Sequence, residues 1–120
     1  MVMKVWTLDL SPYYVDVIAP GENGSEKVKA EFDVKGSLSS ILFNPALNLT
    51  VPQAFEAKDL ADRIQAASGF VLLDRMDKVR LDQAYNAIRS PNINSLVLLM
   101  RIRDMESVEV SAPPTDSEGP

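Results

Sequence analysis

The feature that most constrains this chain is a change of hydrophobic period at residue 36. Lys27–Lys35 alternates without a break: Val28, Ala30, Phe32 and Val34 on one side, Lys27, Lys29, Glu31, Asp33 and Lys35 on the other. That is the pattern of a strand with one buried and one wet face. After Gly36-Ser37 the apolar residues recur at helical spacing instead. A chain that changes from period 2 to period 3.6 in this way packs helices against a sheet, which predicts the α+β class.

Before the switch, two more strands are expected. Lys4–Leu10 sets Trp6, Leu8 and Leu10 on one face and Thr7 and Asp9 on the other, and Tyr13–Ile18 is β-prone. Asn23-Gly24 in the connection to Lys27–Lys35 predicts a hairpin, because these residues accept positive φ. After the switch, Leu38–Phe43 reads as a short helix stopped by Asn44-Pro45. Thr50, Pro52 and Gln53 form a helix start with a capping box, and Ala57, Leu60, Ala61 and Ile64 make the buried stripe. Gly69 is the expected left-handed stop. Lys58/Asp62 and Asp59/Arg63 are expected i,i+4 pairs on the outer face.

Phe70–Leu73 reads as a short buried strand or an extended connector, and Asp74 as the cap of a helix whose apolar stripe is Leu81, Ala84, Tyr85 and Ile88. Ser90-Pro91 closes it. Asn94 is the expected cap of Ser95–Met105, whose start, Leu96–Met100, fits either a buried helix or a strand; helix is the favoured reading because Leu98, Ile102 and Met105 keep helical spacing. Ser107–Ser111 alternates and is a candidate fourth strand. The expected architecture is a small antiparallel sheet of about three N-terminal strands, with that fourth near the C-terminus, against three to four helices. Residues 1–111 form one domain, and 112–120, APPTDSEGP, a flexible, disordered acidic tail.

Chemistry is constrained by what is missing. The chain has no histidine and no cysteine, so the commonest general base, the commonest metal ligand and the thiol nucleophile are all absent. There is no phosphate-binding glycine loop, nucleophile elbow or calcium-loop spacing. Asp74 and Asp77 are the one carboxylate pair with a catalytic alternative, and they read as caps at a helix N-terminus. We therefore expect a protein that is not an enzyme, without catalytic residues, cofactor or metal.

Residues 105–120 carry Glu106, Glu109, Asp116 and Glu118 and no base, which accounts for four of the five net negative charges. Residues 70–104 carry six bases against four acids. No sustained basic face results, so nucleic acid is not an expected partner. No apolar run approaches a membrane span, and the N-terminus lacks the pattern of a signal peptide, so a cytoplasmic protein is expected. The candidate interaction residues are Trp6, Tyr13 and Tyr14, as aromatic anchors, and Arg75, Arg101 and Arg103, as a patch the tail could mask. Consecutive Tyr13 and Tyr14 must face opposite sides of a strand, so one is exposed or covered by a partner. Phe32, Phe43, Phe55 and Phe70 are expected in the core.

The stretch GSLSSILFNPALNLTVPQAFEAKDLADRIQAASGFVLLDRMDKVRLDQAYNAI, with its turn Ala67-Ser68-Gly69-Phe70-Val71-Leu72-Leu73-Asp74, resembles small proteins encoded by bacteriophages and prophages in the virion morphogenesis region. It covers about half the chain and rests on packing and capping residues, so it transfers no functional residue. The resemblance implies a virion structural or assembly protein. Its partner would be a second copy or another assembly protein, in the host cytoplasm or within the virion. The alternative is a monomeric adaptor or inhibitor that binds a host protein.

Overall fold

Asp33 and Asp74 are the residues at which extended chain becomes helix. In each, the side-chain carboxylate accepts a backbone N–H of the first turn, from Gly36 and Asp77 respectively. The structure is a computed structural model and describes residues 2–22 and 24–111; the tail expected at 112–120 lies outside the described residues. Strands β1 (Val2–Asp9), β2 (Tyr14–Gly21) and β3 (Gly24–Glu31) precede helices α1 (Val34–Leu42) and α2 (Val51–Ala66). Strand β4 (Phe70–Leu73), helices α3 (Arg75–Asn86) and α4 (Leu96–Arg103), and strand β5 (Glu106–Ser111) follow. This is the α+β class with small antiparallel sheets.

The partnering of the strands differs from sequence order. The three-stranded sheet runs β4-β1-β5, both neighbours antiparallel to β1, while β2 and β3 form a separate hairpin. Phe70–Leu73 is thus a strand, not a connector, and Ser107–Ser111 belongs to one that begins at Glu106. The hairpin turn lies where Asn23-Gly24 placed it: Gly21 pairs with Gly24, whose φ of 104° is glycine's territory.

The register assigns the two faces of the main sheet. Trp6 faces Leu73 and Leu8 faces Val71 on the inner side. There Leu8, Val71 and Leu73 join Leu38 and Leu42 of α1, Leu60 and Ile64 of α2, Leu81 and Ala84 of α3, and Leu98 and Ile102 of α4 in one core. All four helices therefore bury their stripes on the same side of the sheet. Full burial of each of these leucines contributes about 2 kcal/mol.

Helix boundaries follow local chemistry. Thr50 and Gln53 bond reciprocally as the capping box predicts. Two expectations shift at the other caps. Ala67, in extended conformation, ends α2, and Gly69 takes its positive φ two residues later, in the turn into β4. Asn92 rather than Asn94 caps the turn before α4, its side chain accepting the Asn94 N–H at 2.7 Å. The strand expected through Lys35 ends at Glu31, because Asp33 bonds Gly36 and starts α1. Lys35 is thereby freed from a wet strand face, and its Nζ donates to the carbonyls of Gln65 and Ala67 at the C-terminal end of α2. A cation there satisfies orphan carbonyls and complements the helix dipole.

Candidate interaction surface

Opposite the helices, the main sheet presents a second apolar face. Thr7 faces Leu72 and Glu106, Val5 faces Val108, Met3 faces Val110, and Asp9 faces Phe70. Phe70 is 53% exposed, Leu72 49%, Val108 47% and Met3 40%; the last three adjoin Val5, which is 7% exposed, and Phe70 lies further along, opposite Asp9. Val5 stands apart from the helix-side core. Each of these side chains is placed there by the two-residue period of its strand. The expectation that Phe70 and its counterparts Phe43 and Phe55 lie in the core is corrected: all three are exposed, and only Phe32 packs against the core. For Phe70 the reason is parity, since Val71 and Leu73 take the inner face.

The β2–β3 hairpin repeats this situation in a different form. Val15, Val17 and Ala19 share one face with Val28 and Ala30, and all five are half-buried; no residue of either strand is fully buried. The other face carries Tyr14, Asp16 and Ile18 against Glu31, Lys29 and Lys27, with a cross-strand Lys29–Asp16 bridge of 2.9 Å. The alternation read from Lys27–Lys35 correctly separates the two sides of the strand. It does not bring the apolar side into the core, because no helix lies over it.

The six candidate residues fall at separate places. Tyr13 is half-buried at the base of the hairpin, where its ring stacks on Phe32 with centroids 4.8 Å apart and its hydroxyl donates to the Asn94 carbonyl at 2.9 Å. Burial raises its pKa above the usual phenol value, against the opposing effect of nearby Arg101. The Arg101 guanidinium lies 5.1 Å from the Tyr13 ring and donates to the Ser11 carbonyl at 2.7 Å. These two residues are brought together, and they fasten the hairpin base to α4. Tyr14 points to solvent on the polar hairpin face, 63% exposed.

Trp6 lies on the inner side of β1, packed against the core with the Lys78 ammonium 5.9 Å from its ring. It lines an open groove of about 660 Å³ with Met3, Lys4, Asp74, Arg75 and Met76, so Trp6 and Arg75 share a cavity. Arg103 pairs with its neighbour Asp104 at 2.8 Å. Arg80 bonds Glu56 and Lys78 bonds Asp82. Lys78, Arg80, Arg101 and Arg103 are thus divided among nearby acids and carbonyls, while Arg75 lines the groove beside Trp6.

One polar feature escaped the sequence. Arg63, expected to pair with Asp59, instead reaches α3 and makes a bidentate bond with Asp77 at 2.9 and 2.5 Å. Asp77 is 8% exposed and also accepts the Asp74 N–H at 3.1 Å, completing a reciprocal capping box. Burial would raise its pKa, but the Arg63 bonds and the Asp74 N–H outweigh it and hold the carboxyl below the usual value. The partner choice depends on how α2 crosses α3, which no i,i+4 rule contains. Asp74 in turn bonds the Asp77 N–H at 2.8 Å, so both carboxylates are engaged as caps. Among the described residues no group of three acidic side chains converges as a metal site, and no helix is long and apolar enough to cross a membrane. No protein-family model, curated protein or solved structure matches the chain.

Proposed function

We propose that this chain is a protein-interaction module that works by self-association, as a structural or assembly component of a phage-type particle. The outer face of the main sheet carries the reading. Leu72, Met3 and Val108 adjoin Val5, and Phe70 continues the row along β4, on a face with no helix over it among the described residues, while the described helices pack on the opposite side. A contiguous apolar patch of this kind marks an interaction site. Antiparallel sheets usually pair an apolar inner face with a polar outer one, and this sheet departs from that rule. The Asp74–Asp77 pair adds support, since its oxygens are committed to helix capping and to Arg63 rather than to a substrate. The likeness of residues 36–88 to small phage-encoded proteins supplies the assembly context.

Light scattering coupled to size exclusion, over a concentration range, tests it. A mass that rises to a multiple of 13.2 kDa is the expected result. Val108→Arg, which places a charge on the outer face, should lower that mass while leaving the circular dichroism unchanged. A strict monomer at all concentrations would replace this reading with that of a monomeric adaptor.

A further inference from the structure

Among the described residues two unpaired β edges have a matching apolar pattern, and β3 offers the bases that β5 lacks. β5 is one edge of the main sheet, with β4 at the other, and β3 is one edge of the hairpin. Strand β5 bears Glu106 and Glu109; strand β3 bears Lys27 and Lys29 between Glu26 and Glu31. We infer that the occupant of the β5 edge is the hairpin of a second copy, added antiparallel through β3, so that copies join head to tail. This rests on the self-association reading above and names its contact.

Hydrogen-bond parity permits the pairing. The Leu10 N–H donates to the Gly69 carbonyl at 2.8 Å, in register with the β1–β4 ladder, so even-numbered residues of β1 turn their backbone groups toward β4. Its odd residues then turn toward β5, where they face Glu106, Val108 and Val110. That leaves the backbone groups of Ser107 and Glu109 directed outward. On the hairpin, the Phe32 N–H donates to the Tyr13 carbonyl at 2.9 Å, which turns the even residues of β3 inward to β2 and leaves Lys27 and Lys29 outward. Glu109 and Lys29 can therefore exchange both backbone hydrogen bonds as a facing pair.

That register also aligns the apolar residues. With Glu109 opposite Lys29, Val110 falls opposite Val28 and Val108 opposite Ala30, all on one side of the joined sheet. Lys27 and Glu31 are the two diagonal neighbours of Glu109 and offset each other, so the facing Lys29 decides the charge match. The result is a five-stranded sheet, three strands from one copy and two from the next, whose outer apolar face runs on into the apolar face of the hairpin.

Pairing of two β5 edges gives Glu109 no opposite charge to face: Val108 opposed to Val110 sets Glu109 opposite Glu109, and Val108 opposed to Val108 sets it opposite Ser107. Like charges directly opposite destabilise a strand pair, whereas opposite charges and apolar pairs stabilise it. The β2 edge carries Pro20, which has no N–H to donate. An unprotected edge is a template for another chain, and here the edge best matched to β5 is β3 of another copy. Such a contact is heterologous, so it propagates into a ring or a filament rather than closing as a twofold dimer.

Proline at the facing pair tests the contact, since each outward N–H lies outside its own ladder. Lys29→Pro should abolish assembly through β3, and Glu109→Pro through β5, each leaving a monomer with the wild-type circular dichroism. Mixed in equal amounts, the two variants retain one intact edge apiece. They should form a one-to-one species of twice the monomer mass and nothing larger. Wild-type assembly by either variant alone, or a mixture that stays monomeric, overturns the head-to-tail pairing while the self-association reading stands. A wild-type protein that is monomeric throughout removes both. Should a proline variant lose its fold, Glu109→Lys is the second probe: self-association weakened about fivefold is expected from the reversed pair, and unchanged affinity overturns the inference.

Discussion

Strands β1 and β3 carry the same kind of alternation and meet opposite fates. β1 lies between two partners and under four helices, so Leu8 is fully excluded from water. β3 has one partner and nothing above it, so Val28 and Ala30 remain half-exposed. An alternating pattern states that a strand has two unlike faces. What covers the apolar one is a separate matter, decided by the rest of the chain or by another molecule. A two-stranded hairpin is marginal in water by itself, so the β2–β3 arm depends on its anchorage and its partners.

That contrast predicts where the protein is fragile. Leu98→Ala or Leu60→Ala opens a cavity in the helix-side core and should cost about 3 kcal/mol in urea unfolding. Val28→Ala in the hairpin should cost well under 1 kcal/mol, because half the side chain is already in water. Equal losses at Leu60 and Val28 would dissolve the distinction between the two regions.

Next in size is the Arg63–Asp77 pair. Arg63→Ala leaves a buried carboxylate without its guanidinium and should cost about 2 kcal/mol, less than a fully enclosed pair because Arg63 itself is half-exposed. The Asp77 carboxyl is held below its ordinary value, so its contribution is complete above the unfolded value of about 3.9 and is lost as pH falls through the lower folded value. Acid titration of Asp77→Asn should accordingly show a shallower loss of stability below pH 4 than the wild type.

Tyr13→Phe sharpens the comparison at the boundary between the two regions. Loss of the hydroxyl bond to Asn94 should cost about 1 kcal/mol, leaving a half-buried carbonyl short of a donor. The effect should concentrate in the arm: hydrogen exchange of β2 and β3 amides rises, while β1 and α2 amides keep their protection. The smallest effect is expected at Lys58, whose exposed bridge to Asp62 should leave the urea midpoint unchanged on substitution by Ala.

Much of the fold was legible locally. Thr50 and Gln53, Asp74, the turn at Gly24 and the stripe Ala57, Leu60, Ala61 and Ile64 are encoded within a few residues, because caps, turns and amphipathic faces are short-range physics. Ser107–Ser111 was legible as a strand by alternation alone. The interaction surface was less so. Tyr13 and Arg101 were singled out separately as candidate contacts, and they meet each other across 88 positions of sequence. The exposed face of Phe70, Leu72 and Val108 carried a signal in the parity of Phe70–Leu73, but alternation cannot say which parity the helices will cover.

The sequence by itself thus determined the α+β class, the caps, the strand and helix periods and the absence of histidine and thiol chemistry. Only the tertiary structure decided that β1 pairs with β4 and β5, that Arg63 leaves Asp59 for Asp77, and that the hairpin stands apart. These choices are made by long-range packing, in which many weak apolar contacts across distant segments compete at once. No local pattern records which segment prevails, and the same packing placed all four helices on one side of the sheet.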